Sequence, residues 1–337
     1  MKTKLISHNS PYLQHEELEA ATSVIRSGWL SQGPEVSHFE KEWCDFLGLP
    51  EDHAVAVSSG TAAVLLTLLS EEVGGKRVGI PAYLCASVRA AVSFSGAEVC
   101  LLDTDKDSPL VSSQGSEGLD YIIAPHTFGL PVNIAQFSDP EGRVIEDCAH
   151  SPGGMLNNKK LGTLGRYGIF SFYTTKVLTS GGQGGLIVSK DRQLIDRVRN
   201  LREYNSKDDS QLRLNLQMTE IQAAIGRVQL KKLPNFLERR DEIFSKYQKT
   251  GVELLGSTLG RPVRYRAIIR TKRPKQLIQH FVDLKIQAVV PWRVLYGATA
   301  PHATEFAESC VSIPLYPSLT NNEVDRVCEA LSQIQAR

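Results

Sequence analysis

The first half of the sequence alternates short apolar segments with longer segments of helical character, and this alternation limits the possible folds most strongly. The apolar segments cover residues 54–57, 77–80, 98–102, 121–124 and 143–146. They are almost continuously apolar, as strands are when helices cover both faces of a parallel sheet. Segments 61–72 and 86–94, which lie between them, have helical character. The pattern predicts an α/β fold with a mostly parallel sheet.

The second half of the sequence has a different pattern of apolar residues. Residues 219–222 fit a helix capping box, and apolar residues then recur at helical spacing. We expect this helix to end before Pro234 and a second, polar helical segment to follow over 236–249. The chain has 337 residues, enough for about two domains. We therefore predict a large domain over 1–235 and a smaller C-terminal domain over 236–337.

Composition excludes several classes of protein. The formal net charge is +1, so no broad basic surface indicates nucleic acid as a partner. The N-terminus lacks the apolar core of a signal peptide, and no apolar run reaches the roughly 18 residues of a membrane span. The six cysteines show no C-x-x-C spacing, which argues against a metal site and favours reduced thiols. These features predict a cytoplasmic protein without a membrane segment.

Lys176 lies in the segment that most directly suggests chemistry. Ser171 precedes it by five residues, and a glycine-rich turn follows over 181–185. This order suits a Schiff-base site in which the amine bonds to an aldehyde cofactor and the serine reaches an anchoring phosphate. The glycines would let backbone approach closely. The alternative is a solvated surface lysine beside an ordinary turn.

Residues 58–63 form a second candidate site, where a predicted strand gives way to a helix. Small side chains there, including Gly60 and Thr61, leave the N–H groups and positive dipole end of the helix open to a phosphate. An ordinary serine or threonine N-cap would have the same sequence. The segment has no lysine in the Walker position, so it is not a nucleotide P-loop.

Asp147 follows a predicted buried strand, and ligands of open α/β sheets bind outside the carboxyl ends of strands. A carboxylate at this point could keep a pyridine nitrogen protonated, which makes the ring an electron sink. Asp147 could instead cap the next turn, and His150 could be an ordinary packed histidine. Glu146 should point to the opposite face of the strand, so we assign it no chemistry.

These segments belong to a longer series of matches that extends over nearly the whole chain. The matching segments are 27–36, 39–40, 59–61, 81–83, 126–129, 146–147, 171–176, 215, 218–224 and 313–317. Together they resemble the DegT-type family of sugar aminotransferases, which use pyridoxal 5′-phosphate on the aspartate-aminotransferase scaffold, fold type I. The resemblance implies a large, mostly parallel sheet domain and a smaller C-terminal α+β domain.

The resemblance also implies roles for single residues. Lys176 would form the Schiff base with the cofactor and carry the proton between substrate and cofactor carbon. Asp147 would pair with the pyridinium nitrogen. Gly60, Thr61 and Ser171 would bind the cofactor phosphate.

Other positions complete the cofactor site or depart from the family pattern. Asn215 would reach the phosphate from the other subunit of a homodimer, and His150 would lie near the ring oxygen of the cofactor. Cys85 occupies the position where many members have an aromatic residue that stacks on the cofactor ring. Gln217 replaces a usual basic residue, and the loop 181–185 is one residue longer than the common form and lacks its glutamate.

The resulting functional hypothesis is a homodimeric aminotransferase that moves an amino group from L-glutamate to a keto group of a nucleotide-linked sugar. Such an enzyme would serve the synthesis of polysaccharide or glycan precursors. An alternative keeps the fold and replaces the sugar with a cyclitol or another non-sugar ketone. A related dehydratase would have histidine at position 176, and a regulator on this fold would lack the lysine or carry a DNA-binding module.

Overall fold

The computed structural model describes residues 4–137, 142–205, 207–257 and 259–335. The helices in these ranges are α1 His15–Ser27, α2 Pro34–Leu47, α3 Gly60–Ser70, α4 Ala86–Phe94, α5 Arg192–Leu201, α6 Glu220–Gln248, α7 Pro274–Asp283, α8 Pro301–Ser309 and α9 Asn321–Gln335. The strands are β1 Ala54–Val57, β2 Arg77–Pro81, β3 Glu98–Leu102, β4 Tyr121–Pro125, β5 Val144–Asp147, β6 Met155–Leu156, β7 Lys159–Lys160, β8 Tyr167–Ser171, β9 Gly185–Val188, β10 Ala267–Arg270 and β11 Cys310–Ile313.

The central feature is a seven-stranded sheet in the order β1-β9-β8-β5-β4-β2-β3. Strand β9 is antiparallel to both of its neighbours, and the remaining neighbours pair in parallel. Two smaller antiparallel pairs are β6 with β7 and β10 with β11. The mostly parallel sheet predicted from the sequence is therefore confirmed.

Both faces of the sheet are buried, which explains the continuous apolar runs. In β1, Ala54 and Ala56 pack into one hydrophobic cluster, and Val55 and Val57 pack into another on the opposite face. Helices α2 and α6 contribute to the first cluster, and helices α3, α4 and α5 contribute to the second. Burying one valine side chain stabilises the fold by about 1.5–3 kcal/mol, so alternate residues hold the sheet to both helical layers.

Helix α6 differs from its prediction. Its N-terminus is the predicted capping box at Thr219, but the helix continues through Pro234 to Gln248, so the expected end before Pro234 is wrong. A proline inside a helix removes one hydrogen bond and costs about 3 kcal/mol. Leu233 and Phe236, on either side of Pro234, are buried and anchor both halves of the helix to the core. Their packing outweighs the cost of the proline.

A separate hydrophobic cluster forms around β10, β11, α7 and α9, in the region predicted to be the second domain. Ile6 belongs to this cluster and pairs with Ile286 in a parallel bridge. The beginning of the described chain thus packs with its end. The division at residue 235 falls inside the continuous helix α6, and it stays a prediction.

The N-terminus of α2 is capped by a residue that is distant in sequence. The carboxylate of Glu220 accepts hydrogen bonds from the backbone N–H groups of Gly33, Glu35 and Val36, at 2.8, 2.8 and 2.9 Å. Glu220 is itself buried at the start of α6. A helix leaves its first N–H groups without partners, and a carboxylate there also matches the positive end of the helix dipole. Glu220 thereby joins α2 to α6.

A segment that we call the strap, residues 261–265, runs from β6 past Gly129 toward β10. Arg261 and Met155 exchange backbone hydrogen bonds of 2.8 and 2.9 Å, and Val263 N–H donates to Gly129 O at 2.9 Å. Gly129 has φ 84°, and a Cβ atom there would lie 2.1 Å from Val263 O. The strap can approach this closely only because residue 129 is glycine.

We expect Gly129→Ala to lower the free energy of unfolding by about 2 kcal/mol or more, since it combines a left-handed backbone with a collision. Gly48→Ala is the matched control, because Gly48 has φ 76° and open space where a Cβ would be. Urea unfolding of both variants measures the difference. Equal losses would mean that the strap does not depend on close approach at Gly129.

Candidate active site

A cavity of about 300 Å³ lies at the carboxyl ends of the parallel strands. Seven of the eight predicted site residues line it: Gly60, Thr61, Cys85, Asp147, His150, Ser171 and Lys176. These residues lie at or after the carboxyl ends of β1, β2, β5 and β8. The carboxyl ends of these strands lie at the same edge of the sheet. The topology thus gathers residues that are far apart in sequence, as expected for an open α/β sheet.

One side of the cavity is formed by the N-terminus of α3 and the end of β8. Ser59 is the N-cap and accepts a hydrogen bond from Ala62 N–H, so the capping interpretation holds for this serine. A Cβ atom on Gly60 would lie 2.8 Å from the Cβ of Ser171, so only glycine lets the two segments meet. The start of α3, with its free N–H groups and positive dipole end, and the hydroxyl-bearing Ser171 therefore line the same part of the cavity, which suits a phosphate.

Asp147 ends β5 and is almost completely buried in the wall of the cavity. Its Oδ1 atom accepts a hydrogen bond from Ala149 N–H at 2.9 Å, so the residue does cap the following turn. Burial raises the pKa of Asp147, although the Ala149 N–H group and the charges of Lys176 and His126 oppose the shift. A buried carboxylate in this environment favours a cationic partner.

Lys176 lies in the turn after β8, five residues beyond the end of the strand. Its backbone N–H donates to Tyr173 O at 2.8 Å, and its half-buried side chain lines the cavity. The glycine-rich segment folds back beside it, since Phe172 N–H donates to Gly184 O and Thr174 N–H donates to Gly182 O. The lysine and the glycine turn are therefore neighbours in space.

His150 lies on the other side of the cavity in a defined protonation state. Burial, together with the positive charges of Lys176 and Arg266, holds its pKa well below the ordinary range, so the imidazole is neutral. Its Nδ1 atom accepts a hydrogen bond from Phe128 N–H at 3.3 Å, which assigns the ring hydrogen to Nε2. Phe128 supplies this donor from a left-handed backbone with φ 58°. His150 is thus set up as a hydrogen-bond donor through Nε2.

Two predicted residues occupy less direct positions. Cys85 is the exposed N-cap of α4 and lines the cavity, but a thiol has no aromatic face with which to stack on a ring. Asn215 is exposed and lies outside the cavity of its own chain. Its neighbour Leu216 accepts a hydrogen bond from Ser58 N–H at 2.9 Å. Asn215 therefore lies near the end of β1, the strand that leads to Gly60 and Thr61, but is not among the residues that line the cavity.

Glu146 points away from the cavity, as alternation along β5 predicts. Its Oε2 atom interacts with His126 Nε2 at 3.0 Å and accepts from Gly162 N–H, and Oε1 accepts from Leu164 and Gly165 N–H. Cys148 lies close enough to His126 and Glu146 for the three to be considered as metal ligands. The glutamate oxygens, however, are already used in holding the loop before β8.

Sequence reasoning missed three residues that shape the cavity. Trp292 and Gln183 line it directly. Tyr265 lies behind the wall, with its ring 4.0 Å from the ring of His150. Trp292 and Tyr265 come from the C-terminal third, where single aromatic residues show no periodicity that marks a site. In the sequence, Gln183 is one residue of a glycine-rich turn, and nothing else marks it.

Three features together define the class of protein. They are a half-buried lysine, a buried carboxylate at a strand end and a helix N-terminus that begins with glycine. On this sheet, they are the parts of a pyridoxal 5′-phosphate-dependent enzyme with the aspartate-aminotransferase fold. The particular family follows from the sequence. Residues 11–332 match the DegT/DnrJ/EryC1/StrS aminotransferase family, and the chain belongs to that family. The protein is therefore a pyridoxal 5′-phosphate-dependent aminotransferase.

Known relatives match over nearly their full length. The chain is 27% identical to the spore coat polysaccharide biosynthesis protein SpsC of Bacillus subtilis (strain 168), covering 99% of this chain and 98% of the relative. It is similar in structure to the aminotransferase TlmJ from Streptoalloteichus hindustanus, with a TM-score of 0.91, 24% identity, and 98% and 99% of the two chains covered. The PLP form of the putative sugar aminotransferase Spr1654 from Streptococcus pneumoniae gives a TM-score of 0.91, 21% identity and the same coverages.

The residues of the cavity fit this cofactor. The space that a Cβ on Gly60 would fill lies beside Ser171, so a phosphate can approach the backbone there. Asp147 offers a buried negative charge for a ring nitrogen, and His150 offers a neutral donor for a ring oxygen. Lys176 offers a primary amine in the same cavity. The four groups match the phosphate, the nitrogen, the oxygen and the aldehyde of pyridoxal phosphate in kind.

Proposed function

We propose that the protein transfers an amino group from L-glutamate to a keto group of a nucleotide-linked sugar, in the synthesis of polysaccharide or glycan precursors. The observation that carries this proposal is the convergence of Lys176 and Asp147 on one cavity in a chain of this aminotransferase family. The sugar is supported by the relatives, one of which acts in spore coat polysaccharide biosynthesis and another of which is a putative sugar aminotransferase.

In this proposal each residue has a separate task. When bound, the cofactor supplies an electron sink that makes the hydrogen on the substrate carbon acidic. Lys176 would take that proton at its Nζ atom as a general base and release it to the cofactor carbon as a general acid within the same half-reaction, and it would carry a proton the opposite way in the second half-reaction. Asp147 keeps the ring nitrogen protonated, and His150 orients the ring oxygen through Nε2. Ser171 and the start of α3 hold the phosphate and so fix the position of the ring.

A second candidate substrate is a cyclitol or another non-sugar ketone. Two observations favour it: Cys85 lines the cavity at the position where the resemblance implies a ring-stacking aromatic residue, and the loop 181–185, which contributes Gln183 to the cavity wall, lacks the glutamate of the common form. These substitutions change the shape and charge of the pocket without removing the reactive lysine. Arg293 follows Trp292 and is exposed, and we propose it as one candidate for binding the donor carboxylate.

We propose that the enzyme is a cytoplasmic homodimer. Among the described residues, every helix is too short or too polar to serve as a transmembrane segment. The cysteines are all unpaired, in keeping with a reducing compartment. Leu212 and Leu214 leave 93% and 37% of their surface exposed next to Asn215. An apolar surface at this place supports contact with a second subunit.

The substrate proposal is tested by incubating the purified protein with pyridoxal phosphate, L-glutamate and a panel of nucleotide-linked keto sugars and keto cyclitols. Formation of 2-oxoglutarate together with an aminated sugar is the expected result. The Lys176→Ala protein is the control for non-enzymatic transfer. Turnover with a cyclitol alone would favour the second candidate, and turnover with neither class would contradict both.

The dimer proposal predicts a composite site, in which Asn215 of one subunit completes the phosphate site that Lys176 of the other subunit serves. A twofold dimer makes this contact twice. Mixing Lys176→Ala chains with Asn215→Ala chains then gives heterodimers with one intact site and one doubly altered site. We expect activity to rise above that of either parent, to about a quarter of wild type at equal mixing.

Subunit exchange must be demonstrated independently, for example by mass spectrometry of chains of different isotopic composition. Mixed wild-type and Lys176→Ala chains provide the reference for unaltered Asn215. Recovery that does not exceed the parents after complete exchange would rule out the composite site, as would an active monomer.

A further inference from the structure

Tyr265 lies directly behind the cavity wall, at the end of the strap. Its side chain is 2% exposed, and it does not line the cavity itself. Its backbone oxygen accepts a hydrogen bond of 3.2 Å from the fully buried Arg240, which also donates to Leu315 O at 2.8 Å. The strap on one side and Arg240 on the other therefore fix the ring in place.

The ring of Tyr265 contacts both sides of the reactive centre. It stacks on the imidazole of His150 with a centroid distance of 4.0 Å and an interplanar angle of 16°. The Nζ atom of Lys176 lies 5.7 Å from the centre of the ring, within the range of a cation–π contact. Thr175, the residue before the lysine, lies beside the phenol and contributes to lowering the pKa of Tyr265. One side chain thus touches two residues that line the cavity and lies beside the neighbour of one of them.

The charges around Tyr265 are all positive. Arg266 lies with its guanidinium carbon 5.0 Å from the ring centre and donates from Nη2 to the phenol oxygen at 3.5 Å. Burial alone would raise the pKa of Tyr265, but Lys176, Arg266, Thr175 and Arg240 together lower it below its ordinary value. A tyrosine in this setting is an electron-rich partner for a neighbouring ammonium group.

Arg266 is itself held by a neutral histidine. Its Nη1 atom lies 3.0 Å from His8 Nε2, and burial followed by the charge of Arg266 lowers the pKa of His8 to about 3. His8 Nε2 also lies 2.8 Å from Ser312 Oγ. Since no carboxylate is among these contacts, the positive charge of Arg266 is not neutralised locally and acts on Tyr265.

We propose that Tyr265 is a positioning residue of the amino-transfer reaction. From behind the cavity wall, its ring holds the Lys176 amine and the His150 ring in fixed positions relative to each other. The lysine must leave the cofactor during each half-reaction and return to the same place. The ring of Tyr265 gives the freed Nζ atom a fixed contact, both before it takes the proton and while it carries the proton as an ammonium group. This inference rests on the role proposed above for Lys176.

Two substitutions separate the ring from the hydroxyl. Tyr265→Leu removes the contacts with Lys176 and His150, and we expect kcat to fall about a hundredfold with KM within about twofold, since a small misplacement of a reacting group has this effect. Tyr265→Phe keeps the ring, and we expect a fall of about tenfold or less. Tyr247→Phe is the matched control, because Tyr247 is a buried tyrosine whose hydroxyl donates to Pro314 O far from the cavity.

A second readout uses the cofactor-free protein and needs no substrate. The ionisation of Tyr265 is followed at 295 nm and assigned as the transition that is absent in Tyr265→Phe. Because the Lys176 charge lowers the pKa of Tyr265, Lys176→Met should move this transition to higher pH, and Tyr247→Phe should leave it unchanged.

The two readouts distinguish failure of this inference from failure of the proposed function. An unmoved Tyr265 transition in Lys176→Met would overturn the inference, as would a Tyr265→Leu protein that loses thermal stability but keeps wild-type kcat per folded molecule. If the wild type aminates no keto substrate, the proposed substrate is wrong, while the titration still decides whether Tyr265 and Lys176 are coupled.

Discussion

Replacing Lys176 by alanine is expected to abolish the visible absorption of covalently held pyridoxal phosphate and to lower turnover about 10⁴-fold. The reason is that one amine has two tasks, holding the cofactor and moving the proton, and alanine can do neither. The fold should survive, because the hydrogen bond by which the turn holds Lys176 uses its backbone N–H group and not its side chain. Absorption spectra, circular dichroism and single-turnover rates with L-glutamate measure the three effects.

Lys231→Ala is the matched control for this substitution, since Lys231 is exposed on α6 and lies outside the cavity. It should retain full absorption and turnover. A Lys176→Ala protein that still transaminates at a rate near that of the wild type would show that another amine is the reactive one. Loss of helical signal in Lys176→Ala alone would instead point to a structural role.

Asp147→Asn should slow both half-reactions by about two to three orders of magnitude, since each tenfold loss corresponds to about 1.4 kcal/mol of transition-state stabilisation. Asparagine keeps an oxygen that can accept the Ala149 hydrogen bond, so the cap remains while the charge is lost. The substitution thus separates the two interpretations of Asp147. Single-turnover measurements of each half-reaction report the chemical effect.

The same substitution should not destabilise the cofactor-free protein. Burial raises the pKa of Asp147, so the ionised form costs stability as the pH rises through the folded-state pKa. Asp147→Asn lacks this cost, and its advantage in thermal stability should grow from acidic to neutral pH. Unchanged turnover per folded molecule in Asp147→Asn would mean that the charge has no part in the reaction and that Asp147 serves only as the cap of the following turn.

Much of the fold could be predicted because its signals are local. Each strand of the sheet is an apolar run that ends at a turn or a helix start, and Thr219 begins its helix with a recognisable capping box. Residues of the cavity could be predicted for the same reason, because Asp147 and Ser171 each end a strand and Gly60 begins a helix. In a parallel sheet the carboxyl ends of the strands lie at the same edge, so the sequence alone predicts that these residues come together.

The rest depends on contacts between distant residues. Pro234 predicts a helix end by itself, and only burial of the residues around it explains why α6 continues. Trp292 lines the cavity and Tyr265 lies behind its wall because of the path of the strap and the C-terminal segment, and no periodicity in the sequence encodes that path. Asn215 is exposed and is not among the residues that line the cavity of its own chain, so its role stays a prediction that a second subunit must test.

The cap that Glu220 provides to α2 has a consequence for biosynthesis. The three N–H groups that it accepts belong to residues 184–187 positions earlier in the chain. During translation, α2 leaves the ribosome long before its capping carboxylate is made, so its first turn must stay hydrated until α6 docks. Such a late, long-range closure slows folding more than it affects final stability. The packing of α2 against α6 is thus a late step in folding, and the N-terminal part of the core is complete only when this step has occurred.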